Sequence, residues 1–188
     1  MTARLLWGAA LALLLSAAGA RADISLFGSY FDNVARAVSH NDAAQVRQLV
    51  GSGQSPDQVD EDGRTGLQIA AVNGNLQIAA ILIKAGAHLD TKDRLGNTAL
   101  HYATDRGHDE MAQLLLDIGA AVDPQNKNGM TPLMIAASRG NIIIVQALLA
   151  KGANARKGDF TGRDALGWAA DSRRPAVIQA IRSAQAKR

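Results

Sequence analysis

Gly129-Met-Thr-Pro-Leu-Met-Ile-Ala-Ala137 stands 33 residues after Gly96-Asn-Thr-Ala-Leu-His-Tyr-Ala-Thr104, which itself follows Gly63-Arg-Thr-Gly-Leu-Gln-Ile-Ala-Ala71 at the same interval. One period further on, Gly162-Arg-Asp-Ala-Leu-Gly-Trp-Ala-Ala170 completes the set without an insertion. Leu67, Leu100, Leu133 and Leu166 fill one column, and Ala70, Ala103, Ala136 and Ala169 another. The register continues downstream through Gly74, Gly107 and Gly140, and through Leu82, Leu115, Leu148 and Ile181. It also holds in the pairs Gly86-Ala87, Gly119-Ala120 and Gly152-Ala153. Self-similarity at a fixed period of about 20–50 residues is the mark of stacked supersecondary units, none of which can bury its apolar face alone.

Each column has a physical reading. Thr65, Thr98, Thr131 and Asp164 can accept hydrogen bonds from the first amides of a helix, and Pro132 suits the first helical position. Leu followed three residues later by Ala gives a short helix with a small-residue face. That helix breaks at Asn73-Gly74-Asn75, Arg106-Gly107-His108 and Arg139-Gly140-Asn141. A second helix, such as 76–85, carries apolar residues at i, i+3 and i+4 and ends at Gly86, a natural left-handed cap. A polar turn follows. The unit is therefore helix, turn, helix and hairpin-like loop, and the fold class is all-α. Composition agrees, with 36 Ala among 188 residues and 4% aromatics favouring packed helices over strands.

Thr131-Pro-Leu-Met-Ile-Ala136 and Thr98-Ala-Leu-His-Tyr-Ala103, at this period, resemble the T-P-L-H-x-A core of ankyrin repeats. The resemblance implies an α-solenoid of five repeats over residues 30–62, 63–95, 96–128, 129–161 and 162–188. The first and last depart from the pattern, as caps with one face toward solvent do. In the first, Tyr30, Asp32 and Val34 replace Gly, Thr and Leu, while Ala37, Leu49 and Gly53 stay on their columns. In the last, Arg173 and Arg174 stand where Gly-His or Gly-Asn stood, and Pro175 opens the final helix.

Ahead of the array, Arg4 and Arg21 bracket 16 uncharged residues with a dense apolar run from Leu5 to Leu15. A basic start, a short apolar stretch and an A-x-A ending read as a secretory signal over residues 1–22, cut after Ala20 or Ala22. The alternative is an uncleaved membrane anchor, for which the run is short against the roughly 20 apolar residues a spanning helix needs. Loss of Arg4 and Arg21 leaves 18 basic against 17 acidic residues. The expectation is a periplasmic or secreted protein that leaves the membrane after cleavage. Eight basic residues gather in 156–188 without interleaved aromatics, so nucleic acid is not an expected partner.

No Cys is present, which excludes disulfides, thiolate metal sites and a Cys nucleophile. No H-E-x-x-H, G-x-S-x-G or phosphate-binding loop occurs. His101 and His108 fall in slots of the repeat, which assigns them structural roles. Asp60, Glu61 and Asp62 fall on a turn and are expected to be solvated there. No catalytic residue, metal or cofactor is therefore expected.

The resemblance places function on the loop tips and the open face of the first helices, where the family binds protein partners. Column by column, the candidate partner-binding residues are Arg64, Arg94, Leu95, Asn97, Asp105, Arg106, Lys127, Met130, Arg139, Phe160 and Arg163. Arg94 and Lys127 share a column with Phe160, and Arg106 shares one with Arg139, so positive charge recurs along the stack. Leu95, Met130 and Phe160 are apolar residues on tips with no expected packing role, a type enriched as interface anchors. The expected protein is a monomeric, non-catalytic scaffold for a partner with an acidic patch. The second reading is an accessory factor that protects or modulates a periplasmic enzyme.

Overall fold

The computed structural model describes residues 33–186; the expected signal segment, Tyr30 and Asp32 lie outside them. Ten helices appear among the described residues, in five antiparallel pairs. They are α1 (Val34–Ser39) with α2 (Ala43–Gly51), α3 (Gly66–Asn73) with α4 (Leu76–Lys84), and α5 (Ala99–Arg106) with α6 (Asp109–Asp117). Then come α7 (Pro132–Arg139) with α8 (Ile142–Ala150), and α9 (Ala165–Ser172) with α10 (Pro175–Ala186). The first helices stack in one row, α1 on α3, α3 on α5, α5 on α7 and α7 on α9. In the second row α2 packs on α4, α6 on α8 and α8 on α10. The fold is the all-α repeat solenoid that the 33-residue period implies.

Local chemistry sets where each helix starts. Thr65, Thr131 and Asp164 are N-caps as the spacing predicts, Asp164 accepting from the Gly167 amide at 2.9 Å. Asn75 and Asn141 cap the second helices. In the first pair the cap is Asn33, which accepts from the Arg36 amide at 2.8 Å. Helix α1 therefore starts one residue past the strict register and runs only six residues.

The core is the two Leu/Ala columns seen from inside. Ala70, Ala103, Ala136 and Ala169 are fully buried, and their small side chains let the first helices approach. Leu82, Leu115, Leu148 and Ile181 are likewise sealed between the two rows. Truncating one such leucine to Ala costs about 2–5 kcal/mol. Leu166, in the last described pair, is only half-buried.

Hydrogen bonds stitch neighbouring pairs at a second set of columns. Asp57 accepts from the His88 amide, Asp90 from Ala121 and Asp123 from Asn154, each at 2.9 Å. The fourth position of that column is Arg156, whose Nη2 donates to the Gln185 carbonyl at 2.6 Å. Gln185 in turn donates to the Ala155 carbonyl at 2.9 Å and to Asp164 at 2.8 Å. Helix α10 is thus tied to the preceding loop through Gln185.

Candidate functional site

The hairpin tips are built by a carboxylate or amide at one position. Asp60 Oδ1 accepts from the amides of Asp62 and Arg64 at 3.0 and 2.8 Å. Asp93, Asn126 and Asp159 do the same for the residues two and four further on. The turn then closes from Gly63, Gly96, Gly129 and Gly162 onto the carbonyl three residues back, each glycine at φ between 76° and 84°. Asp60 corrects the expectation of a solvated acid. Burial pushes its pKa up, but hydrogen bonds from the Arg64 amide and guanidinium outweigh that and hold it below the ordinary carboxylate value.

The second oxygen of Asp60 is taken by the Arg64 guanidinium, whereas those of Asp93 and Asp159 orient aromatic rings. Tyr102 donates its hydroxyl to Asp93, and Trp168 Nε1 donates to Asp159 at 3.0 Å. Both acids lie nine residues before their aromatic partner. Between tips and first helices runs a groove with a volume of about 490 Å³, and both rings line it. Met130, Ile135, Asn97 and Asn126 contribute further wall, with Asp105, Ser138 and Arg139 at the helix ends. Asn126 Nδ2 donates to Asn97 Oδ1 at 2.9 Å, fixing both amides. Below them, buried His101 accepts the Thr98 amide at Nδ1 (3.1 Å) and reaches the Met130 carbonyl with Nε2 (3.1 Å). Those partners require the neutral ring protonated at Nε2, and burial, the largest influence, pushes its pKa down.

The groove brings together Asn97, Asp105, Met130 and Arg139 of the eleven sequence candidates. Arg139 is not a free cation: its Nη2 lies 2.6 Å from Asp105 Oδ1, across the repeat boundary. Arg64 is held in its own tip by Asp60 at 2.8 Å and Asp62 at 3.2 Å. Arg163 stands over the Trp168 ring, 4.2 Å from its centroid, and pairs with Asp171 at 2.6 Å. Arg94, Arg106 and Lys127 are exposed, and among the described residues their side chains have no ion pair or hydrogen bond.

Two of the apolar tips have packing roles, contrary to expectation. Met130 is half-buried against the core. Phe160 is 71% exposed, yet its ring lies where a Cβ on Gly129 would be, with Cδ1 2.7 Å from that point. Gly129 must therefore stay bare both for its positive φ and for the next tip. Leu95 is 62% exposed, and its carbonyl accepts the Lys127 amide at 2.9 Å.

Tyr102, Ile135 and Trp168 line the groove without having been singled out from sequence. Their signal was present: with Ile69 they form a 33-residue column two places after the Leu column. Among the described residues no three His, Asp or Glu side chains are grouped to hold a metal ion, and no helix is long and apolar enough to cross a membrane.

A search of curated proteins finds no relative matching the chain. The family model for ankyrin repeats (three copies) matches over residues 34–126 and again over 118–187. With nearly all of the described stack covered by that model, the chain belongs to the ankyrin-repeat family.

Proposed function

We propose that the protein is an exported, non-catalytic scaffold that holds a protein partner in the groove between its hairpin tips and first helices. Ankyrin repeats mediate protein–protein interaction, and this class of fold is a scaffold rather than a catalyst. The observation that carries the reading to a particular face is the groove itself: two aromatic rings and Ile135 in its wall, beside exposed cations with no internal partner. Aromatic anchors inside a polar, charged rim are the anatomy of a recognition surface. Export rests on the basic start, apolar run and A-x-A ending of residues 1–22.

The test is capture of the partner from the compartment that holds the protein. Wild type is compared with a variant carrying Arg94→Glu, Arg106→Glu and Lys127→Glu; Arg139 is spared because it already serves Asp105. The reading predicts that the variant, with unchanged circular dichroism, loses about tenfold or more of the capture, as expected for several reversed rim charges. Equal capture by both proteins removes these cations from the mechanism, and recovery of the uncleaved chain in the membrane fraction removes export as a soluble protein.

A further inference from the structure

We infer that the partner presents an extended acidic peptide segment whose one apolar side chain sits against Tyr102, Ile135 and Trp168. This rests on the scaffold reading and adds the chemistry of the occupant. Three observations select it.

The first is what the groove wall offers. Tyr102 and Trp168 have polar atoms, but the hydroxyl is spent on Asp93 and the indole N–H on Asp159. What remains toward the groove is ring surface, beside Ile135 and Met130. That part of the wall favours an apolar anchor, because a polar group set against ring carbons loses its water without gaining a hydrogen bond. The space, about 490 Å³ and open to solvent, has room for a large side chain together with its neighbouring residues. The Ser138 hydroxyl on the wall has no protein partner, so it is available to that backbone.

The second is charge. Residues 93–172 contain nine acids, and eight of them are hydrogen-bonded or ion-paired within the protein. The exception is Glu110, at the start of α6 in the other row of helices. Over the same stretch Arg139, Lys151 and Arg163 are paired with acids, while Arg156 and Lys157 donate to carbonyls. Arg94, Arg106 and Lys127 remain. Among the described residues, the charged side chains of this face with no partner in the protein are therefore all cations.

The third is placement. Arg106 follows Asp105 and Lys127 follows Asn126, each one residue beyond a lining residue. Arg94 belongs to the same tip as Asn97. Charges at that position select the sign of the ligand and speed its encounter more than they add affinity.

The experiment uses the full chain with Trp7→Phe, so that Trp168 is the sole fluorophore of its kind. The probe is a synthetic peptide of about nine residues with a central Leu or Phe flanked by Glu; controls carry a central Ala, or Lys in place of Glu. A saturable change in Trp168 emission is expected with the acidic apolar peptide. Affinity should fall about tenfold or more with either control, and again as salt is raised. Ser138→Glu, which places a like charge on the wall, should abolish binding with no change in melting temperature. Equal affinity for the Lys-flanked peptide, or no response to any peptide, overturns the inference. A chain that still cross-links to a defined partner protein in cells while ignoring every peptide keeps the scaffold reading and loses this one. A chain that binds neither loses both.

Discussion

His101 is the residue where packing and protonation meet. Its Nδ1 must be an acceptor for the Thr98 amide, so a proton there would set two donors against each other inside a sealed site. The pKa is lowered in the folded state, chiefly by burial, so the unfolded chain binds the proton more readily. The linkage follows: the neutral ring's contribution is complete above the unfolded value of about 6.5 and is lost as pH falls below it. Gln68 occupies the same slot one repeat earlier, accepting the Thr65 amide at 2.7 Å and donating to two carbonyls at 2.8 Å, and its amide takes up no proton in this range. His101→Gln should therefore preserve the fold and flatten the loss of melting temperature between about pH 7.5 and about pH 5.5. An equally steep loss in the variant would show that another group drives it. The slot was legible in the sequence because Thr65, Thr98 and Thr131 recur at the 33-residue period and His101 stands three residues after its Thr. The Arg139–Asp105 pair was not: its partners sit 34 residues apart, and only the stacking of α5 on α7 makes them neighbours.

At the scale of elements, every helix–turn–helix joint needs a left-handed residue, and the first and last of those described lack glycine. Gly74, Gly107 and Gly140 adopt φ of 67–72°, whereas Asn41 adopts 59° and Arg173 52° at the matching joints. A side chain there costs about 1 kcal/mol relative to glycine. Arg173→Gly should raise stability by about that amount, read as a shift in urea midpoint with an unchanged slope. No shift, or a loss, would mean that the arginine has a compensating contact. The joints and caps were legible from Gly, Thr and Asn columns because backbone geometry restricts those positions to a few residue types. The tips were half legible. Asp60, Asp93, Asn126 and Asp159 stand in one column, but only the folded turn shows one oxygen spent on amides and the other free to steer Tyr102 or Trp168. Phe160 looked like a spare apolar residue because its contact, the bare face of Gly129, lies on the preceding hairpin tip, 31 residues earlier.

In the whole molecule, each pair of helices leans only on its neighbours, so the groove is a property of the stack and of no single repeat. A 33-residue register fixes which side chains line up, and it made the solenoid readable without coordinates. It could not give the depth of the groove or the pairing state of its charges, since both depend on contacts between repeats. The central claim is that this face, and not the outer row of helices, meets the partner. A photo-crosslinker placed at Ser138 in the groove, or at exposed Gln146 on α8 in the outer row, separates the two in living cells. Capture of one defined protein from position 138 and none from position 146 is the predicted result; capture from position 146 with none from 138 would contradict it.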